Sequence, residues 1–496
     1  MRRLALFVLM AALLAVTAGV ARADTEVKIT GDSRVYGDFF TGHNFTGKSN
    51  PGWTSNTPTW SNAGAKSEEK FVVWQRIRVQ SDFKAGKDVK FRLSVKVDDT
   101  WGHGTYTAAN PTNAVQVYKA YLQFKWPGTD TQITAGLQPL SFPQTPAFFD
   151  SLLFADFASA FVVAGQIMPD TLGYTVGFAR MLDTNQTFDT ANQVGDELDF
   201  YFLTLPITVS GFKATPWTVV GVAGKYTGYY TAYASSFAHA NYAEDLLSGG
   251  TLLGSRHWKN NQQPYIWAGS TFELTALDPV RFYADIMYGS GAFADRKRSQ
   301  RHGWFIDAAA EYTGWTWAKP QLFGWWSTGE DGSTSNGSER IAHTRPNWGP
   351  GNSFLFDDGQ VYGRNGEMGI DPAGTWGLAA SLDKISYMPR LSHRVTVAYT
   401  RGTNSPTAIR DLNNALGSSN PYFILGRNLT WNEYAVGVNF DTTYNLYENL
   451  NILIETGWAR GHFQKSAWAS TWGNDLVNRA NNNDAWKVAF GFTYKF

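Results

Sequence analysis

Cysteine is absent from the 496 residues, which excludes a disulfide scaffold, a thiolate-ligated metal and thiol catalysis. Charge is scarce too: Asp, Glu, Lys and Arg make up 17% of the chain, against about 25% in ordinary soluble domains. The 42 basic residues balance 42 acidic ones, so no single-sign field points to nucleic acid as a partner. Long apolar runs are missing except at the start, where Arg2 and Arg3 precede the uncharged run 4–20 and the small-x-small sequence Ala21-Arg22-Ala23. That is the pattern of a cleaved signal peptide over residues 1–23, with a mature domain over 24–496. Beyond it, nothing approaches the about 20 apolar residues of a spanning helix. A mature chain in a membrane must then be a closed barrel, in which every backbone group finds a partner on a neighbouring strand.

What is present is alternation. In residues 88–98, Val89, Phe91, Leu93, Val95 and Val97 share one face, while Lys90, Arg92, Ser94, Lys96 and Asp98 share the other. Phe71, Val73, Ile77, Val79 and Phe83 alternate in the same way with Arg76, Arg78, Gln80 and Asp82. A first strand sets Val27, Ile29, Val35 and Phe39 against Lys28, Asp32, Arg34 and Asp38, and the last sets Trp486, Val488, Phe490, Phe492, Tyr494 and Phe496 against smaller or polar residues. Period two over about ten residues, apolar on one side, is the signature of an all-β transmembrane barrel, lipid outside and water inside. Short links (84–88, 126–128, 277–279, 313–314, 387–392, 444–449) alternate with long polar ones (41–69, 99–113, 231–263, 329–373, 402–428, 461–483), as in outer-membrane barrels. A soluble β-sandwich has no reason to keep that sided rhythm.

Strands are expected near 25–40, 70–83, 88–98, 114–126, 131–138, 158–167, 171–182, 197–208, 216–230, 264–276, 280–290, 302–313, 315–328, 374–386, 391–401, 429–443, 448–460 and 484–496. Both termini on one side require an even number, which gives an antiparallel up-and-down barrel of 18 strands, or 16 if two weak segments near 171–230 are one. Side chains cannot fill either interior, so an aqueous channel is expected.

This pattern resembles the trimeric outer-membrane porins of Gram-negative bacteria, in particular the homotrimeric porins of sulfate reducers. The C-terminal Phe490, Phe492, Tyr494 and Phe496 are similar to the Phe-terminated signal read by the barrel-assembly machinery. Ala135-Gly136-Leu137-Gln138-Pro139 leads into a third loop, 139–157, which the resemblance folds into the lumen, without the family's usual Pro-Glu-Phe-Gly-type motif. It implies a homotrimer in outer-membrane lipid, passive diffusion of small hydrophilic solutes and ions, and no cofactor or metal. Its constriction would set the loop acids Asp150 and Asp156 against a basic wall of Arg76, Arg78 and Arg92, with Lys28, Arg34, Lys90, Lys96 and Lys119 nearby. Opposed rows of charge set up a transverse field across a narrow, partly desolvated gap. Later strands carry acids on the inward face: Glu273, Asp285, Asp307, Glu311, Asp383, Glu433, Asp441 and Glu455. Ion selectivity is open at this level.

Two other functions compete. Inward aromatics (Tyr36, Trp74, Tyr121, Trp267, Tyr283) could form a track in a substrate-specific channel, with Trp304 and Trp376 facing outward. An exported carbohydrate-active enzyme would need an isolated carboxylate pair; the acids instead recur along whole strands, and neither HExxH nor GxSxG spacing occurs. Asp331-Gly332 and Asp357-Asp358-Gly359 read as polar loop tips, with a surface cation as the alternative.

Overall fold

The computed structural model describes residues 25–42, 45–46, 70–102, 106–107, 110–111, 114–183, 195, 197–224, 260, 262–292, 300–333, 335–344, 348–356, 368–416 and 423–496. The expected signal peptide 1–23, Asp357-Asp358-Gly359 and most of the loops 41–69 and 231–263 lie outside the described residues.

Eighteen antiparallel crossings close into one barrel. The first six are β1 (Thr25–Thr41), β2 (Lys70–Ala85), β3 (Val89–Thr100), β4 (Gln116–Lys125), β5 (Gln132–Ser141) and β6 (Ala155–Met168). Then come β7 (Leu172–Asp183), β8 (Glu197–Thr204, resuming as Ile207–Val209), β9 (Phe212–Gly224), β10 (Gln262–Leu274), β11 (Val280–Ala292) and β12 (Gln300–Tyr312). The last six are β13 (Lys319–Ser327), β14 (Thr375–Met388), β15 (Leu391–Gly402), β16 (Tyr434–Tyr447), β17 (Leu450–His462) and β18 (Ala485–Lys495). The break in β8 falls at Leu205-Pro206, where proline has no N–H to give the ladder. Since β7, β8 and β9 are three separate crossings, the 16-strand alternative fails.

Closure is made by β1, which pairs with both β2 and β18; Tyr36 lies opposite Trp74 on one side and Gly491 on the other. The C-terminus seals the seam, since Gly31 and Phe496 exchange backbone hydrogen bonds of 2.9 and 3.0 Å. The Phe496 ring covers Gly31 so closely that a Cβ there would lie 2.4 Å from its Cζ. Only a residue without a side chain admits that approach.

The apolar face of each strand points out. Val27, Ile29, Phe91, Leu122, Phe161, Ile266, Leu322, Val397, Ile454 and Phe492 are exposed, while their polar neighbours along the strand turn inward. Single-sided alternation thus becomes an apolar outer belt around a polar wall. At the short-turn rim, Trp315 and Trp317 stack at 5.2 Å, and β13 begins only after them, at Lys319 rather than 315. Two other boundaries move. The strand expected at 216–230 occupies Phe212–Gly224, and the one expected at 429–443 begins at Tyr434. The latter is delayed because the Glu433 carboxylate accepts from the Thr430 and Gln464 backbone N–H groups, at 2.7 and 2.6 Å, and bends the approach.

Among the described residues, two long loops enter the barrel. Residues 142–154, joining β5 to β6, form the inward-folded third loop; between β13 and β14, the described residues 328–333, 335–344, 348–356 and 368–374 form a second insert that the alternation did not reveal. They bind each other: Phe149 N–H donates to the Gly349 carbonyl at 3.0 Å, Thr344 N–H to that of Leu153 at 3.1 Å, and the Phe148 and Trp348 rings stack at 5.3 Å. At the same mouth lie α1 (Pro406–Leu416), α2 (Lys465–Trp472) and α3 (Asn474–Asn482), with α2 packed between α1 and α3.

Candidate pore lining

On β1 to β4 the inward residues form a ladder of cations. Register places Asp32 opposite Arg78, Arg34 opposite Arg76, Arg78 opposite Lys96, Asp82 opposite Arg92, Ser94 opposite Lys119 and Arg92 opposite Tyr121. One carboxylate, Asp32, serves three guanidinium groups: Arg78 Nε donates to it at 2.7 Å, while Arg34 and Arg76 lie at 3.7 and 3.8 Å. Positive charge is in surplus at this level. A step further along, Arg92 makes a two-pronged bond to Asp82, both contacts 2.6 Å, and its guanidinium lies 5.7 Å from the Tyr121 ring. Lys119 donates to Gln80 at 3.4 Å between the two levels, and Lys96 lies 3.6 Å from Asp98. Lys90 lies 6.0 Å from the Tyr121 ring, and Lys28 faces Asp82 in register. These side chains keep contact with water; those of Arg34, Arg76, Arg78 and Lys96 are 21%, 25%, 28% and 30% exposed.

The opposite wall is acidic in sequence but covered in the structure. Asp285 and Asp307, in register on β11 and β12, both accept from the Gln144 amide of the third loop, at 2.6 and 2.9 Å. Asp285 also accepts from the Thr145 N–H and hydroxyl, and Asp307 from Trp348 Nε1 at 2.7 Å. The Asn352 amide of the second insert donates to Asp441, and Phe354 N–H to Asn439 at 2.6 Å. Four further acids of these strands are paired: Glu273 with Lys213 at 2.7 Å, Glu311 with Lys319 at 2.8 Å, Asp383 with Arg394 at 2.7 Å and Glu455 with Lys487 at 3.0 Å. Buried carboxylates need such donors to offset lost hydration. Loop insertion therefore covers Asp285, Asp307 and Asp441, while the cations of β1 to β4 keep partial exposure.

The candidate loop acids are placed as follows. Asp150 accepts from Ser141 Oγ at 2.5 Å and from Ser151 N–H at 2.9 Å, at the end of the inserted loop. Asp156 lies on β6 opposite Leu140, on the inward face. The aromatic track divides: Tyr36, Trp74 and Tyr121 line the basic side, whereas Trp267 is fully buried with its Nε1 donating to the Ala342 carbonyl at 2.8 Å. Sequence reasoning missed the second insert, although a signal was there. Phe200, Phe202, Trp217, Phe305, Phe323 and Trp325 face inward from strands that are apolar outside as well, and such residues demand a lumenal cover.

The mouth carries two buried acids outside the strands. Glu330 accepts from the Ser338 hydroxyl, and Glu433 from Trp468 Nε1 at 2.7 Å besides its backbone donors. Burial pushes both carboxyls up to about 7. Asp331 and Glu339 share the Asn336 amide at 2.9 and 3.1 Å, forming a closed polar loop tip.

With this geometry established, comparison with known proteins is informative about the fold. No family model matches the chain, and no curated protein matches it. Solved structures do. Pseudomonas aeruginosa OpdL matches with a TM-score of 0.51 and 10% identity, over 95% of this chain and 99% of that one. Pseudomonas aeruginosa OccK11 (OpdR) gives 0.48 at 9%, over 95% and 96%, and OccK2 (OpdF) in complex with glucuronate gives 0.49 at 9%, over 95% and 98%. The barrel is one seen before. At this identity the likeness concerns the fold alone.

Proposed function

We propose that the chain forms a water-filled channel in the outer membrane of a Gram-negative bacterium, passing small hydrophilic solutes by passive diffusion and favouring anions. The observation that carries this reading is the division of the lumen. Wetted cations line β1 to β4, with Asp32 shared among three arginines, while the carboxylates opposite are consumed by inserted loops and lysine or arginine partners. A permeating anion meets surplus positive charge on a polar wall, and a cation meets few free acids. The apolar outer belt and the barrel shared with OpdL support a membrane channel. In this reading Asp150 and Asp156 are the acids of the constriction, set against the basic wall of Arg76, Arg78 and Arg92.

The rest of the reading comes from the sequence: export by residues 1–23, assembly directed by Phe490, Phe492, Tyr494 and Phe496, and a homotrimer like that of the sulfate reducers' porins. A second reading, a channel specific for one class of small solute, is favoured by one observation. Among the described residues a second loop enters the lumen beside the third, and Tyr121 lies beside Arg92 and Lys90, so an aromatic face and cations meet on the basic side. Planar-bilayer recording tests both readings. Discrete conductance steps with an anion-side reversal potential are expected; block by one solute at low concentration would select the specific channel, and a silent bilayer would refute both.

A further inference from the structure

On the outward face of the long-loop rim, β14 to β17 carry a band that the passage does not use. Trp376, Arg401, Tyr434 and His462 lie at one level on four adjacent strands, each in register with the next. Tyr399, one outward step below Arg401, completes a row of rings: Trp376 to Tyr399 at 5.8 Å, Tyr399 to Tyr434 at 5.9 Å and Tyr434 to His462 at 5.5 Å, the last two stacked. Arg460 lies one outward step below His462 on β17, 58% exposed. Below the band the outward residues are apolar, as at Val397, Val436, Val438 and Ile454.

An aromatic belt at the headgroup level accounts for rings alone. It does not account for arginines on a lipid-facing surface, where charge is tolerated only near the headgroups and gains most from an anionic one. Arg401 Nε donates to the Trp431 carbonyl at 2.6 Å, which fixes its guanidinium at the rim, and among the described residues it meets no carboxylate within ion-pair distance. Arg460 is different: its Nε lies 3.7 Å from Asp484, which also accepts from Trp458 Nε1 at 3.1 Å. Arg401 is therefore the stronger anion anchor. Guanidinium forks match phosphate oxygens, and flat ring faces match the C–H faces of sugars.

We propose that this band binds a phosphorylated glycolipid of the outer leaflet, its phosphates on Arg401 and Arg460 and its sugars against Tyr434 and His462. The proposal rests on the membrane reading above, but not on conduction. The test uses folded full-length protein in detergent, titrated with a bisphosphorylated glycolipid, its dephosphorylated counterpart and inorganic phosphate, with bound lipid read by native mass spectrometry. Arg401→Gln should weaken the phosphorylated lipid by about five-fold, Arg460→Gln, whose charge is shared with Asp484, by about two-fold, and the two together by about ten-fold. Arg401→Lys with Arg460→Lys should retain part of the binding, and serves if the glutamine variants do not fold. Equal retention of the dephosphorylated lipid, equal binding of inorganic phosphate, or unchanged binding by the variants would overturn the proposal. Bilayer recording of the same variants separates the two readings: pores without lipid discrimination sink this inference, whereas lipid discrimination without pores sinks the channel.

Discussion

Replacing Arg76 and Arg78 by glutamine removes the charge surplus around Asp32 while leaving Arg34, 3.7 Å away, as its partner. At about 6 Å in water, one unit charge acts on a passing ion with about 0.7 kcal/mol, which screening at 0.1 M reduces to roughly 0.4 kcal/mol. The charge favours an anion and disfavours a cation by that amount, so each arginine changes the difference between them by roughly 0.8 kcal/mol. Two arginines then change the chloride-to-potassium permeability ratio by about fifteenfold. The assay is the zero-current potential of reconstituted protein in a potassium chloride gradient, wild type against R76Q/R78Q. Arg92→Gln makes a different case, because it strips Asp82 of its two 2.6 Å contacts and adds a free acid to the wall. It should lower the ratio further and slow anion entry. A ratio that stays within a factor of two in R76Q/R78Q, with folding intact, would refute the placement of these arginines on the conducting path.

Other consequences concern the inserts and the seam. Asp285→Ala with Asp307→Ala removes the acceptors of Gln144, Thr145 and Trp348. Each hydrogen bond lost is worth about 0.5–1.5 kcal/mol, so both inserts should loosen, and single-channel records should show larger, noisier currents. Glu330 and Glu433 have folded-state values near 7, raised above the ordinary 4.5 by burial. Their contribution is fully present below about 4.5 and is lost as pH rises through about 7, so the mouth loops should exchange amide hydrogen faster at pH 8.5 than at pH 5.5. Glu433→Gln should flatten that dependence. Gly31→Val drives a side chain into the Phe496 ring and should slow barrel closure in a refolding assay, with Phe496→Ala partly relieving it.

The strands were legible because a residue that meets lipid on one face and water on the other writes its environment into every second position. Residues 88–98 show this, and β3 occupies Val89–Thr100. The basic ladder followed from the same rule, since Arg76, Arg78, Arg92 and Lys96 fall on the face opposite Val79 and Phe91. Inward aromatics such as Phe305 and Trp325 signalled that the lumen needs a cover, but the segment that supplies it was not legible, because Trp348 meets Asp307 and Asn352 meets Asp441 only through contacts far apart in the chain. No local pattern records them. The cover of the acidic wall was not legible for the same reason: Asp285, Asp307 and Asp441 fall on the inward face as expected, but only packing shows that loops cover them. The three loop helices were missed as well; each is short, and α2 has apolar residues without a clear one-sided stripe.

Solute entry into sealed vesicles tests the central claim most directly. Liposomes reconstituted with the protein and placed in isotonic solutions of small hydrophilic solutes should swell, faster for small anions than for cations of equal size. Vesicles that hold their volume in every solute, with the protein folded and inserted, would contradict the account.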